Sequence, residues 1–147
     1  MPPKFRCDCP FTSALDVLGD KWILVIVKQM LVDGLETFKD FRESPEAIAS
    51  NILSAKLKLL EESHLVFKAK RPDNKKTNLY LLTDKGLALT PILVELANWS
   101  DQYLREANPA MQNGPGMAAL RADKAAFANT LEAAYREKLA GMEYIVV

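Results

Sequence analysis

Ala47-Ile48-Ala49-Ser50-Asn51-Ile52-Leu53-Ser54-Ala55-Lys56-Leu57-Lys58-Leu59-Leu60-Glu61-Glu62-Ser63 is the stretch that decides the fold. Leu53, Leu57 and Leu60 recur at i, i+4 and i+7, one apolar stripe on a helix. At about 100° per residue, Asn51, Ala55, Lys58 and Glu62 fall on the opposite side, with Ser54 beside them. The first half of that outer face, Ser50, Asn51, Ser54 and Ala55, is small and polar. Such side chains allow a close approach to another surface, and Asn and Lys bond to bases or phosphates. A helix of this kind suits a groove in DNA.

Working outward, Leu65–Lys70 and Asn78–Leu82 read as two strands joined by the basic turn Arg71-Pro72-Asp73-Asn74-Lys75-Lys76-Thr77. Upstream, Phe38–Arg42 reads as a brief helix with Phe38 and Phe41 facing inward, and Ser44-Pro45-Glu46 turns the chain into the long helix. Short helix, tight turn and amphipathic helix make a helix-turn-helix. Helix pairs are common, so the charged hairpin that follows is what narrows the reading to a winged helix. Leu35-Glu36-Thr37 is predicted as a short edge strand. The fold class is mainly α with a small antiparallel β-wing.

Met1–Pro10 reads as an extended arm. Thr12 or Ser13 is predicted to cap a short helix through Leu18, with Asp16 in its first turn. Gly19-Asp20 breaks it, Asp20 caps a second helix over Lys21–Val32, and Asp33-Gly34 ends that one. Apolar residues cover nearly the whole circumference of this helix, which makes it the central core helix and Trp22 a packing residue before anything else.

After the hairpin, Thr83-Asp84-Lys85-Gly86 opens a helix whose apolar face runs from Leu87 to Leu104. Pro91 inside it marks a kink or a first-turn position after a break, and the helix ends before Asn108-Pro109. Ala110–Gly116 is the clearest linker. Met117–Leu139 reads as one alanine-rich helix with Leu120, Phe127, Leu131, Ala134 and Tyr135 on one side, and the apolar tail Met142–Val147 as a packed strand. The expected organisation is a winged helix-turn-helix domain over 1–107, a linker over 108–116, and a C-terminal element over 117–147 that serves dimerisation or a ligand pocket. The apolar faces exceed what one small helix-turn-helix core covers, which predicts a homodimer.

The chain has 147 residues, 49% hydrophobic and 26% charged, ordinary for a globular domain able to bury a real core. Lys+Arg and Asp+Glu are equal at 19 each, so global charge argues nothing about nucleic acid. Local charge does: Lys56 to Lys76 holds seven cations against three anions, leaving four negative charges for the rest. Such a run is more often a solvated face than a polyanion site. No secretory signal is read at the start, and the longest apolar run, Trp22–Val27, is too short to span a bilayer, so a cytoplasmic protein with no membrane role is expected. The two cysteines cannot build a disulfide framework. One reading of Cys7 and Cys9 has one packed and the other idle; the other has a redox or electrophile sensor, activated near Lys4 or Arg6. His64 is the only histidine and no second cysteine pair accompanies it, so neither metal nor cofactor is expected. Paired carboxylates, a Ser/His/Asp set and a phosphate-binding glycine loop are all missing, which argues against an enzyme.

The chain also resembles the HxlR-type family of winged-helix transcriptional regulators over roughly Cys9 to Trp99. Cys9-Pro10 resembles the family's opening motif, and Ala14-Leu15-Asp16-Val17-Leu18-Gly19-Asp20-Lys21-Trp22 its first-helix and GxKW signature. Phe38-x-x-Phe41 and Ile48-Ala49-Ser50-Asn51-Ile52-Leu53-Ser54-x-Lys56-Leu57-Lys58-x-Leu60-Glu61 are similar to its recognition-helix block. Tyr80-x-Leu82-Thr83-x-x-Gly86-x-x-Leu89 is similar to its second wing strand and following helix. The resemblance implies a homodimer, built from N- and C-terminal helices, that binds pseudo-palindromic operator DNA. It also implies an oxidant or aldehyde response at the cysteine that Cys9 matches. Two departures stand out: His64 where the family usually has Gly, and Asp73-Asn74-Lys75-Lys76 where its wing often carries a proline-arginine pattern.

The resulting expectation is a dimeric transcriptional regulator, acting as a repressor on double-stranded operator DNA, with a redox or small-molecule effector. Ser50, Asn51, Ser54, Lys56 and Lys58 are placed in a major groove, Arg71, Lys75 and Lys76 on phosphates or the minor groove, and Cys9 at the sensor position. The alternative is a winged-helix module that binds protein, suggested by Ile52 and Leu59 on the flanks of the recognition helix and by overall neutrality.

Overall fold

The computed structural model describes residues 4–147, so the first three positions of the expected arm lie outside the described residues. The chain forms two compact units. One runs to Leu87 and takes in Met142–Val147; the other is Ala88–Gly141. Their limits differ from the expected ones at 107 and 117, and the tail belongs with the first unit.

The first unit begins with α1 (Pro10–Leu18) and α2 (Lys21–Leu31). Cys9, not Thr12 or Ser13, is the N-cap of α1, and Pro10 occupies its first turn. Proline there has its φ preset and lacks an N–H that would be unsatisfied anyway, so the helix starts earlier than the hydroxyl residues suggested. Asp16 therefore lies beyond the first turn and binds Arg6, Nε to Oδ1 at 2.7 Å. Asp20 caps α2 as expected, accepting from the Trp22 N–H at 2.8 Å. Ile23, Ile26, Val27, Met30 and Leu31 are buried, so α2 carries the core of this unit.

No strand forms at Leu35–Thr37. Asp40 Oδ2 accepts from the N–H groups of Glu36 (3.2 Å) and Thr37 (3.1 Å), while Thr37 Oγ1 accepts from the Asp40 N–H (3.1 Å). This capping box starts α3 (Phe38–Arg42) and takes the donors that a ladder would need. One bond to the sheet remains, from the Tyr80 N–H to the Glu36 carbonyl at 2.7 Å.

Helix α4 (Ser50–Glu62) buries Leu53, Leu57 and Leu60, the stripe read from the sequence. It closes on His64, whose φ is 57°. The Leu65 N–H reaches the Leu60 carbonyl (2.9 Å) and the His64 N–H the Glu61 carbonyl (3.0 Å), the paired bonds of a Schellman ending. His64 thus holds the left-handed position that glycine occupies most easily.

Strands β1 (Val66–Arg71) and β2 (Asn74–Leu82) pair antiparallel, with Val66 opposite Leu82 and Ala69 opposite Leu79. The expected seven-residue basic turn contracts to Pro72-Asp73, because β2 starts at Asn74 and a bulge between Ala69 and Arg71 tightens the hairpin. Helix α5 (Asp84–Leu87) follows. The tail forms β3 (Ile145–Val146), which pairs with the free side of β1 and gives a three-stranded order β2-β1-β3. The Val147 N–H extends this pairing to the Lys68 carbonyl at 3.1 Å, and the Tyr144 ring lies 5.8 Å from that of Phe67. The side chains of Ile145 and Val146 are nonetheless exposed.

The second unit holds α6 (Thr90–Tyr103), α7 (Pro115–Ala122) and α8 (Lys124–Ala140). The helix expected from Thr83 onward breaks after Leu87, and Pro91 sits in the first turn of α6. The helix expected over Met117–Leu139 is also two helices. Asp123 is extended (φ −161°, ψ 99°) and caps α8 by accepting from the Ala126 N–H at 3.0 Å. Val94, Leu120 and Ala128 form the core, flanked by Ala97, Met117, Phe127 and Leu131. Asp101 joins Arg105 (2.5 Å) to Arg121 (2.6 Å), and Arg105 also donates to the carbonyls of Met111 (3.1 Å) and Gln112 (2.8 Å), closing the loop before α7. No helix among the described residues is long and apolar enough to cross a membrane.

Candidate nucleic-acid interface

Burial of Leu53, Leu57 and Leu60 on one side of α4 leaves Ser50, Asn51, Ser54 and Lys58 exposed on the other. The N-cap is Ala49, which offers no side-chain acceptor, so the first-turn N–H groups of α4 keep their donor capacity at the positive end of the helix dipole. Lys56 departs from this group. Its side chain is only 20% exposed and its ammonium meets Asp20 Oδ2 at 2.8 Å.

The wing divides in the same way. Lys75 and Lys76 are exposed on β2, in strand backbone rather than a loop. The Asn74 Oδ1 accepts from the Lys76 N–H (3.2 Å), and Lys70 Nζ donates to the Lys75 carbonyl (2.8 Å), which orders the start of β2. Arg71 is exposed, yet its Nη2 donates to Glu36 Oε2 at 3.0 Å. Glu36, buried between α2 and α3, thereby joins the hairpin to the helix-turn-helix through both carboxylate and carbonyl. Four exposed residues of α4 and the two lysines of β2 are presented to solvent; Lys56 and Arg71 are held by acids of the same unit. Sequence reasoning missed Asp20 and Glu36 as their partners, since pairs distant in sequence leave no local pattern. It also passed over Lys39 and Arg42, exposed on α3.

Cys9 is half-buried at the start of α1, Cys7 is exposed, and both are free thiols. The Thr12 backbone N–H, the Thr12 side chain and the Phe11 N–H lower the Cys9 pKa below the ordinary thiol value, against a smaller effect of desolvation. Such stabilisation is the usual consequence of placing a thiolate at a helix N-terminus. The expected activation by Arg6 gives way to this one, because the Arg6 guanidinium is engaged by Asp16. His64 accepts through its backbone carbonyl from Thr83 Oγ1 at 2.6 Å. Among the described residues no group of three His, Cys, Asp or Glu side chains could hold a metal ion. On α6, Ile92, Leu96, Trp99 and Tyr103 form an exposed apolar face.

Residues 17–108 match the profile of the HxlR-like helix-turn-helix family. The HTH-type transcriptional regulator YodB of Bacillus subtilis (strain 168) is 34% identical over 96 residues, covering 65% of this chain and 85% of YodB. The solved reduced form of YodB is similar at a TM-score of 0.55 with 34% identity, covering 66% of this chain and 95% of YodB. Its quinone-bound form is similar at a TM-score of 0.51 with 33% identity, covering 65% of this chain and 100% of YodB. The structure of PA1607 is similar at a TM-score of 0.60 with 38% identity, covering 67% of each chain. The oxidized form of the redox regulator HypR is similar at 0.56 with 29% identity, covering 64% of this chain and 96% of HypR.

Proposed function

Because this chain belongs to the HxlR-like helix-turn-helix family of transcriptional regulators, we propose that it represses transcription by binding pseudo-palindromic operator DNA as a cytoplasmic homodimer. The observation that carries this reading is the division of α4 into a buried leucine stripe and an exposed face of Ser50, Asn51, Ser54 and Lys58. In the major groove, Asn51 pairs with an adenine edge, the serines allow close approach, and Lys58 meets a base or the adjacent phosphate. Lys75 and Lys76 supply sequence-independent charge to the backbone. Lys56 and Arg71 act by holding α4 and the wing in place.

The exposed face of α6 supports the homodimer, since Ile92, Leu96, Trp99 and Tyr103 form the kind of apolar patch that a second subunit covers. Cys9 is the site of effector response. Its thiolate would add to a ring carbon of a quinone, forming an S–C bond while the ring takes up the electron pair and protons as a hydroquinone. A disulfide-forming oxidant would take two electrons from the Cys9 thiol and a second thiol, joining the two sulfurs. The reduced, oxidized and quinone-bound forms known for YodB and HypR support that chemistry.

Capture of genomic DNA fragments by the purified protein tests the central reading. Enrichment of a few sequences with inverted symmetry, and binding that weakens steeply with salt, is expected. Leu59, 39% exposed on α4, favours a second reading in which this helix docks a protein; failure to enrich any DNA would bring that reading forward. Sedimentation of the free protein at micromolar concentration is expected to give a dimer, and a folded monomer alone would overturn that part.

A further inference from the structure

The turn between α3 and α4, residues 43–49, has no regular structure of its own, yet α2 grips it. Lys28 Nζ donates to Glu46 Oε1 at 2.5 Å and Gln29 Nε2 to Glu46 Oε2 at 2.6 Å, so consecutive residues of α2 hold both carboxylate oxygens. Gln29 Nε2 gives its second proton to Ser44 Oγ at 2.8 Å, and that hydroxyl donates to the Phe41 carbonyl at 2.8 Å. Gln29 is 1% exposed, and its Oε1 is buried with no hydrogen-bond partner among the described residues. A buried amide oxygen left unpaired is costly. Turning the amide over would set that oxygen against the Glu46 carboxylate, so the Glu46 charge fixes its orientation.

Immediately after Glu46 the backbone enters a left-handed conformation at Ala47, φ 52°, uncommon for a residue with a Cβ. Such a conformation persists where its surroundings over-determine it. The N-cap Ala49 makes no side-chain bond into the first turn of α4, so no side-chain cap fixes the entry of the helix. Ile48 is buried and the Ala47 N–H bonds the Ser44 carbonyl at 3.0 Å, while the side-chain ties from the turn to α2 are those of Glu46 to Lys28 and Gln29 and of Ser44 to Gln29. Burial disfavours the Lys28 charge, yet the carboxylates of Glu46 and Asp33 raise its pKa above the ordinary lysine value, so the grip stays charged.

We propose that Lys28, Gln29 and Glu46 form a clamp on the turn before α4 that sets the direction in which the helix enters the groove. Glu46 is then a positioning residue for base recognition and touches no DNA. This inference rests on the reading of α4 as the recognition helix.

The test compares binding of the full-length protein to genomic fragments enriched by the wild type with binding to random DNA of equal length. Glu46→Ala is expected to weaken binding to the enriched fragments about tenfold or more. Random DNA, bound through phosphate charge, should change by less than about twofold. Gln29→Glu, which faces one carboxylate with another, should act in the same direction. Gln29→Glu combined with Glu46→Gln restores an amide–carboxylate pair with the roles exchanged, and should recover most of the discrimination. Lys28→Met removes one tie and serves if Glu46→Ala does not fold, as judged by circular dichroism. A role in stability alone lowers the melting temperature and leaves the ratio of the two affinities unchanged. That result, parallel losses on both DNAs, or no recovery in the exchanged pair overturns the clamp. A wild type that enriches no sequence overturns both the clamp and the repressor reading. A wild type that discriminates alongside variants that discriminate equally overturns the clamp alone.

Discussion

Lys56, midway along α4, donates its ammonium to Asp20, the N-cap of α2, at 2.8 Å. One carboxylate oxygen of Asp20 holds the first turn of α2 through the Trp22 N–H, and the other holds α4. Lys56, Lys28 and Gln29 thus tie α4 or the turn before it to α2, the first at one end of α2 and the other two toward its far end. A cation that reads as a DNA contact in the sequence is paired with an acid in the fold.

Replacing Asp20 by Ala removes cap and ion pair together. A loss of about 0.5–2 kcal/mol of stability is expected from the cap in chemical denaturation. Asp20→Asn keeps an acceptor for the Trp22 N–H and should recover most of that loss. Lys56→Ala should change DNA affinity far less than Asn51→Ala does. A larger DNA effect at Lys56 than at Asn51 would return Lys56 to the interface.

Helix and wing should separate in binding measurements. Asn51→Ala is expected to cost about 1–3 kcal/mol on the enriched DNA and less on random DNA, because a bidentate contact to a base carries sequence information. Changing Lys75 and Lys76 together to Ala should weaken both DNAs similarly and flatten the slope of log K against log salt by up to about 2. Equal losses on both DNAs for Asn51→Ala would remove it from base reading.

Cys9 draws its lowered pKa from the N-terminal turn of α1, with Thr12 contributing through both backbone and hydroxyl. Thr12→Val should raise the midpoint of Cys9 alkylation with pH and slow its reaction with iodoacetamide at neutral pH, followed by mass spectrometry. Cys9→Ser should abolish the effect of a quinone on DNA binding and leave the reduced-state affinity intact, with Cys7→Ser doing less. An alkylation midpoint that Thr12→Val does not move would assign the activation to another group.

In the second unit, Arg121 and then Arg105 hold the Asp101 carboxyl well below the usual carboxylate range, against a smaller effect of desolvation. The sign follows from linkage. The folded state binds the proton more weakly than the unfolded chain, so the contribution is present above the unfolded value of about 3.9 and is lost as pH falls toward the folded one. Asp101→Asn should therefore lower the melting temperature at pH 7, and the gap from wild type should narrow progressively below about pH 4. A constant gap down to pH 2 would mean that the ion pairs contribute little.

What was legible in the sequence was what local patterning controls. The spacing of Leu53, Leu57 and Leu60 placed the buried face of α4, and Asp20 announced the start of α2. Elements went wrong where two local rules competed. Pro10 overrode the hydroxyls of Thr12 and Ser13, and the Thr37–Asp40 capping box consumed the donors of the expected strand at Leu35–Thr37. Asp123, read inside a helix by its alanine-rich surroundings, stands between two helices as a cap. The candidate interface was legible as a face but not as a set of free side chains. Whether Lys56 and Arg71 are free depends on Asp20 and Glu36, which lie about 35 residues away in each case. Only tertiary structure brings such pairs together.

The two-residue strand β3 changes what the wing offers to other molecules. Without it, β1 would present the outer side of a six-residue strand, a row of unpaired N–H and C=O groups open to any extended chain. With it, the outer strand on that side of the sheet is Ile145–Val146, too short to template a long pairing, while β2 remains the edge on the other side. The tail therefore covers part of one side of the sheet and leaves three exposed aliphatic side chains at Ile145, Val146 and Val147. Protein lacking residues 142–147 should lose solubility on concentration before it loses the helix-turn-helix fold, which light scattering and far-ultraviolet circular dichroism would resolve.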